Sequence, residues 1–275
     1  MKRLAVLYIL GLFLFTPAWA YPVDVILDID RTLAYFIQPS DPRPTTGTVI
    51  TLPDGDVYRL SDDAEKFIYT LKKDPRIRLS FYSGARRIRN LALLERILLP
   101  DGSNAKDTAY KILSSNNLTP TLQTWNPLAT FGQRWKKDLA EVNPDLKDLI
   151  LLDDMADFAP DSQSRNVFWL QQVYDYFETF PYNKEKGRRI PPTKRDWALE
   201  RKKLSWAMGK IQSALDLMEN KALSFSDAVY QSTHDGKGNY LDRTELSEEK
   251  FYSAGALQMT PISNTCNSIY SLIRN

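Results

Sequence analysis

The sequence predicts an α/β fold, a parallel sheet with helices on both faces, followed by a mainly helical extension. Three observations predict it. Apolar runs that end in polar residues recur at Val23–Asp28, 77–83 (IRLSFYS) and within 146–154 (LKDLILLDD), and near-continuous apolar runs are what strands buried on both faces require. Helical patterns separate them, and strands alternating with helices form right-handed crossovers into one parallel sheet. After about residue 180 the apolar spacing changes to three, four and seven.

The elements follow in order. Lys2 and Arg3 precede an apolar run over residues 4–15, and Ala18-Trp19-Ala20 has the small-x-small form of a cleavage site. This is the pattern of an export signal over residues 1–20, and the run is shorter than the ~20 residues that span a bilayer. An exported chain, periplasmic or secreted, with no membrane span after signal removal is the expectation. Next come the first strand, a Pro-rich stretch over 37–44 and a hairpin pattern, TVITL (48–52) and VYRL (57–60) around the Asp-Gly turn of PDGD. Ser61 can cap a helix over 62–73, whose acids come early and lysines late. The second strand leads into an amphipathic run over 86–98. Asp107–Leu113 and Trp135–Glu141 read as helical, 146–154 contains a third strand, and Asn166–Leu170 reads as a fourth.

Residues 184–203 hold nine basic and three acidic side chains, which reads as a solvated linker and helix face. Thr193 and Asp196 have capping-box spacing. Trp197, Leu204, Met208, Ile211, Leu215 and Met218 then form the apolar stripe of one long helix packed on a core. The organisation expected is therefore 1–20 as signal, 21–180 as the main domain and 181–275 as a mainly helical extension.

Charge and cysteine narrow the function classes. The chain of 275 residues carries 36 basic and 34 acidic side chains, and loss of residues 1–20 leaves 34 of each. Such a balance gives no footprint for nucleic acid. The one cysteine, Cys266, has no internal partner and reads as a small buried residue. His234 lies in THDGKGNYLDRTEL (233–246), whose acids fall out of step with a calcium loop, so a polar surface turn is expected.

The strand ends carry the chemistry. In open parallel sheets ligands bind beyond the carboxyl ends of the strands. Asp28 and Asp30, Ser83 and Gly84, and Asp153 and Asp154 all fall there. In extended geometry Asp28 and Asp30 share a face, and like charges so placed repel unless a cation intervenes or one stays protonated. A solvated strand end is the plain alternative. Clustered carboxylates suit a hard divalent cation such as Mg2+, an ionised Asp can act as nucleophile, a second can shuttle a proton, and a hydroxyl, amides and a lysine can hold phosphoryl oxygens.

These motifs carry a resemblance. LDIDRTL resembles the first motif of the haloacid dehalogenase (HAD) phosphatase superfamily, D-x-D-x-T after an apolar strand. WKKDLAEVNPDLKDLILLDD (135–154) is similar to the branch of RNA polymerase C-terminal-domain phosphatases and NLI-interacting-factor-like proteins, which carries K-D-L and then a strand ending in D-D or D-N. The hairpin at 48–60 stands where that branch inserts a small β element. The resemblance covers roughly residues 23–170 and implies a HAD-like, Rossmann-like sheet. It implies Asp28 as nucleophile and metal ligand, and Asp30 as general acid/base with its carbonyl on the metal. Thr32 would brace the loop, and Ser83 and the Gly84 amide would hold phosphate. Lys137, or alternatively Lys136, would be the third-motif cation, and Asp153 and Asp154 would complete an Mg2+ site. Arg31 and Ser83 depart from the branch's usual acid and threonine. Arg86, Arg87 and Arg89 either reach a phosphorylated substrate or form a basic helix face.

The resemblance thus implies a Mg2+-dependent phosphomonoester hydrolase acting on phosphorylated protein or peptide. The alternatives are an exported small-molecule phosphatase and a noncatalytic binding protein on the same scaffold, against which both first-motif aspartates argue.

Overall fold

The computed structural model describes residues 22–171, 173–181, 188–241 and 243. The expected signal over 1–20, Cys266 and the end of the 233–246 segment lie outside them. Strand β1 (Val23–Leu27) is followed by β2 (Ala34–Ile37), β3 (Val49–Thr51) and β4 (Val57–Leu60), then helix α1 (Ala64–Lys73). Strand β5 (Ile77–Tyr82), helix α2 (Arg87–Arg96), β6 (Ile112–Leu113) and β7 (Leu118–Pro120) come next. A single turn, α3 (Phe131–Arg134), leads to β8 (Trp135–Lys137), β9 (Leu149–Asp153) and β10 (Val167–Trp169). Helices α4 (Lys194–Arg201), α5 (Lys203–Lys221) and α6 (Phe225–Thr233) complete the order.

The main sheet has the order β10-β9-β1-β5-β6, with every pairing parallel. This is the predicted α/β architecture, with β1 at its centre. The two-residue period of β1 sorts its side chains. Val23, Val25 and Leu27 join a large apolar cluster with Leu79, Phe81, Ile150 and Leu152, whereas Ile26 joins a smaller one with Tyr82, Leu149, Leu151 and Val167. Asp24, on the second face, is fully buried and takes a bidentate pair from Arg78 at 2.7 and 2.8 Å.

The hairpin at 48–60 forms, with β2 added, as an antiparallel sheet of order β2-β4-β3. The helix expected over 62–73 begins at Ala64, because Asp63 takes a left-handed φ of 63° that starts the helical turn after it. The capping box of Thr193 and Asp196 is present. The stripe that follows packs into the large cluster through Leu204, Met208, Ile211 and Leu215, so α5 and α6 share the core of the main sheet.

Three local expectations are corrected. The stretch 107–113 is not helical: a 3-10 turn at Lys106–Thr108 gives way to β6, where Ile112 and Leu113 extend the sheet beside Phe81 and Tyr82. Nor is 135–141 a helix. Trp135, Lys136 and Lys137 pair with Pro120, Thr119 and Leu118, and the Lys137 amide bonds the Phe158 carbonyl at 2.7 Å. Asp138 then takes the Ala140 amide, a capping role that competes with helix. Finally, the long helix is two, broken at Lys202, whose backbone (φ −110°, ψ 11°) leaves the helical region. The segment around His234 is the polar turn expected. Asp235 accepts from the amides of Lys237 and Asn239, and His234 stacks on Tyr230 with centroids 3.8 Å apart.

Candidate active site

Strand β1 delivers Asp28 to the middle of the sheet edge. Its amide bonds the Leu152 carbonyl at 2.9 Å, so the first aspartate is pinned between neighbouring strands. Extended geometry stops there. The amides of Leu33 and Ala34 both bond the Ile29 carbonyl, and Arg31 sits at a left-handed φ of 62°. Asp28 and Asp30 are therefore not alternate residues of one strand, as the sequence pattern implied. Their carboxylates part to different partners across this turn.

Asp28 faces a lysine. Lys137 Nζ donates to Asp28 Oδ1 and to Asp153 Oδ2, each at 2.7 Å, and all three side chains are buried. Of the two candidate lysines it is Lys137 that reaches these carboxylates, while Lys136 Nζ instead bonds the Asp157 carbonyl. Asp154 comes close as well: one carboxylate oxygen from each of Asp28, Asp153 and Asp154 lies within 4.8 Å of the others. Asp30's carboxylate is not among these three.

Burial dominates the electrostatics. It pushes the Asp28 carboxyl up to about 7, with Lys137 opposing and Asp153 and Asp30 adding to the rise. Burial likewise lifts Asp153 and Asp154 to about 6. Lys137 is raised by its two anions despite burial. These carboxylates outnumber the one ammonium that bonds two of them, although Lys203 and Arg31 also act on Asp154, and a divalent cation would offset such an excess of acid. One further observation fits. Asp28 Oδ2 is buried and has no hydrogen-bond partner among the described residues, so one acceptor of the cluster is left unused by protein donors. A set made only of carboxylate oxygens matches the donors Mg2+ prefers.

Asp30 turns toward Ser83 and α2. Ser83 Oγ donates to Asp30 Oδ2 at 2.8 Å, and Arg89 of α2 pairs with the same oxygen. Arg89 is the one of the three arginines brought to the site, while Arg86 and Arg87 are exposed. Its Nη1 is buried without a partner among the described residues. Arg89 therefore offers an idle donor beside Ser83. Gly84 stands under Phe131, where a Cβ would meet Phe131 Cε1 at 2.8 Å, so glycine lets the ring of α3 close over the turn that follows Ser83. Thr32 is buried, and its carbonyl accepts from Ser61 at 2.7 Å.

A buried lysine that sequence reasoning missed holds the turn itself. Lys203 Nζ, from the start of α5, donates to the Arg31 carbonyl, to Tyr35 Oη at 2.7 Å and to Glu200 Oε1 at 2.8 Å. In the sequence it is one of nine basic residues in a run that reads as solvated, and only its i,i+3 spacing from Glu200 hints otherwise. Burial with imperfect compensation lowers its pKa. Lys203→Met leaves Glu200 buried without this partner and frees the Arg31 turn. A stability loss of about 3 kcal/mol is expected from breaking one side of a buried ionic group. Chemical denaturation checks it; a loss under about 1 kcal/mol would assign Lys203 no such role.

A parallel sheet whose central strand leads into Asp28, with Asp30 on the turn beyond, Ser83 after the next strand, and Lys137 with Asp153 and Asp154 on the other side, is the arrangement that the motifs' resemblance to the HAD superfamily implies. No family model matches the chain, and no curated protein matches it. Solved structures do. One is a fission yeast RNA polymerase II CTD phosphatase Fcp1 variant bound to beryllium fluoride, with TM-score 0.38 and 15% identity over 86% of this chain and 61% of that one. Another is Fcp1, an essential RNA polymerase II CTD phosphatase, with TM-score 0.38 and 14% identity over 86% of this chain and 61% of that one. The chain spans less than two thirds of the length of either.

Proposed function

We propose that the protein is a Mg2+-dependent phosphomonoester hydrolase working through an aspartyl-phosphate on Asp28. The observation that carries the reading is the setting of Asp28: one oxygen is tied to Lys137, and the other has no hydrogen-bond partner among the described residues, in a cluster of three carboxylates. A nucleophile needs such an oxygen, and Lys137 keeps the side chain oriented. Asp28, Asp153 and Asp154 would hold the cation, which when bound supplies the positive charge that lets a phosphate dianion approach three carboxylates.

The residues then divide the work. Asp28 attacks phosphorus as the ester oxygen departs opposite, and Asp30 gives that oxygen a proton. Ser83, the Gly84 amide, Arg89 and Lys137 are the donors for the three equatorial oxygens, which gather charge in the transition state. Water then attacks phosphorus, Asp30 takes its proton, and Asp28 and inorganic phosphate are released. For these steps Ser83 and Arg89 exchange Asp30 for substrate oxygens.

Phosphorylated protein side chains are the substrate class we favour. The insert after the first motif is a small three-stranded sheet, and the Asp30 side chain stays 44% exposed, which suits a bulky substrate better than an enclosed metabolite. Export of the chain remains part of the proposal, from residues 1–20. Hydrolysis of an aryl phosphate by the purified protein, with Mg2+ and with EDTA, tests the reaction. A phosphopeptide panel set against sugar and nucleotide phosphates tests the substrate. Folded protein that turns over none of them sinks the reading.

The raised carboxyls give a signed pH dependence. Each of Asp28, Asp153 and Asp154 protonates more readily folded than unfolded. Their contribution to stability is thus fully present below the unfolded value of 3.8 and is lost as pH rises toward about 7 for Asp28. Without metal, the protein should lose stability between pH 5 and pH 7.5 relative to Asp28→Asn, and Mg2+ should close the gap. Melting curves of both proteins at the two pH values, with and without Mg2+, decide it; parallel curves would mean that Asp28 is ionised at no cost.

A further inference from the structure

No residue between Lys111 and Arg134 carries a charge, in a chain where 25% of residues are charged. Part of this run, the loop 121–131 between β7 and β8, projects Leu122, Trp125 and Leu128, each at least 92% exposed, and Phe131 at its base is 41% exposed. Large apolar side chains so bared on a water-facing surface mark an interaction site.

Many of the loop's polar groups are spent on itself. Thr121 Oγ1 donates to the Gln133 carbonyl at 2.5 Å, and Thr124 Oγ1 to the carbonyls of Thr121 and Arg134 at 2.6 and 3.0 Å. Asn126 Oδ1 takes the Leu128 amide at 3.0 Å, Gln133 Oε1 the Thr130 amide at 2.8 Å, and the Thr121 amide bonds the Arg134 carbonyl at 2.9 Å. A loop whose hydroxyls and several amides bond within it, with apolar side chains turned outward, suits the hydrated headgroup boundary of an apolar medium. Leu122, Trp125 and Leu128 also stand proud rather than lining a groove. A peptide needs a concave seat for its side chains, whereas protruding Trp and Leu suit the headgroup and acyl boundary of a bilayer.

Charge agrees. Phe131 packs at Gly84, directly before the exposed Arg86 and Arg87 that open α2, with exposed Ile88 beside them. Arg134 and Lys136 flank the loop's other end, and these cations outnumber Asp157, which lies by Gly132. An apolar tip with a cationic rim complements anionic headgroups.

We propose that loop 121–131 docks the protein on an anionic lipid bilayer by inserting Leu122, Trp125 and Leu128, with Arg86 and Arg87 against the headgroups. The proposal is independent of the hydrolase reading, because it concerns adsorption rather than turnover. The test uses the full chain and vesicles of phosphatidylcholine and phosphatidylglycerol with brominated acyl chains, which quench tryptophan at contact. Residues 4–15 are themselves apolar, so the deciding quantity is the difference between the protein and Trp125→Phe. Extra quenching in the parent is expected, reduced by 0.5 M salt and by Arg86→Gln/Arg87→Gln. Leu122→Ser/Leu128→Ser should lower the Trp125 signal at limiting lipid at least about tenfold. Equal quenching of parent and Trp125→Phe would leave Trp125 in water and overturn the proposal. A Trp125 signal that answers to a phosphopeptide and not to vesicles would make the loop a peptide seat and overturn it equally.

Discussion

Asp28→Asn should abolish turnover of an aryl phosphate, by at least about 10^3-fold, while leaving the protein folded and no less stable. The first half follows from chemistry, since loss of a covalent nucleophile removes the step that every other group supports. The second half follows from the surroundings. Asp28 is buried with Asp153 and Asp154 around one ammonium, so a neutral isostere relieves repulsion without opening a cavity. Initial rates alongside melting temperatures check both halves. A variant that keeps even a tenth of the activity would remove Asp28 from the nucleophile's role. One that unfolds would make it a structural acid.

Lys137→Met carries the largest expected effect on stability. The ammonium is fully buried and bridges two buried carboxylates. Removing one member of such a group leaves uncompensated charge, and a cost of about 3–5 kcal/mol is expected without metal. Mg2+ should return part of it, because a cation bound by the same carboxylates replaces the missing charge and stabilises only the folded state. The pairing of a large loss with partial rescue separates an electrostatic role from simple packing. Urea unfolding of the variant with and without Mg2+ measures it, and a loss that Mg2+ does not touch would argue that the carboxylates hold no cation.

The sequence made the sheet legible because burial on both faces writes long apolar runs. Val25, Leu27, Ile150 and Leu152 could hardly sit elsewhere. The acids of the candidate site were legible for a related reason, since charge at the end of such a run has to be accounted for. What stayed hidden depended on tertiary pairing. Trp135–Lys137 reads as helix until the partner strand Leu118–Pro120 is known, and Lys137 reaches Asp28 because it lies on that strand. The left-handed turn at Arg31 left no glycine as a marker. Lys203 was concealed by its company, since composition does not tell which lysine of a basic run is drawn inward. Arg89 was visible only as one of three candidates, until its contact with Asp30 singled it out.

The bond from Lys203 to the Arg31 carbonyl spans 172 positions of sequence. Its consequence lies in the order of events during synthesis. Everything between Asp28 and Asp154 can be made and can begin to collapse while the turn between the two first-motif aspartates still lacks its clasp. That clasp arrives only with the start of α5, which must also seat itself in the core. A chain cut short before Lys203, or still emerging, would carry all the acids of the site and yet hold them loosely. The geometry of the site is thus tied to synthesis of the chain through the start of α5, well after its last acid has been made.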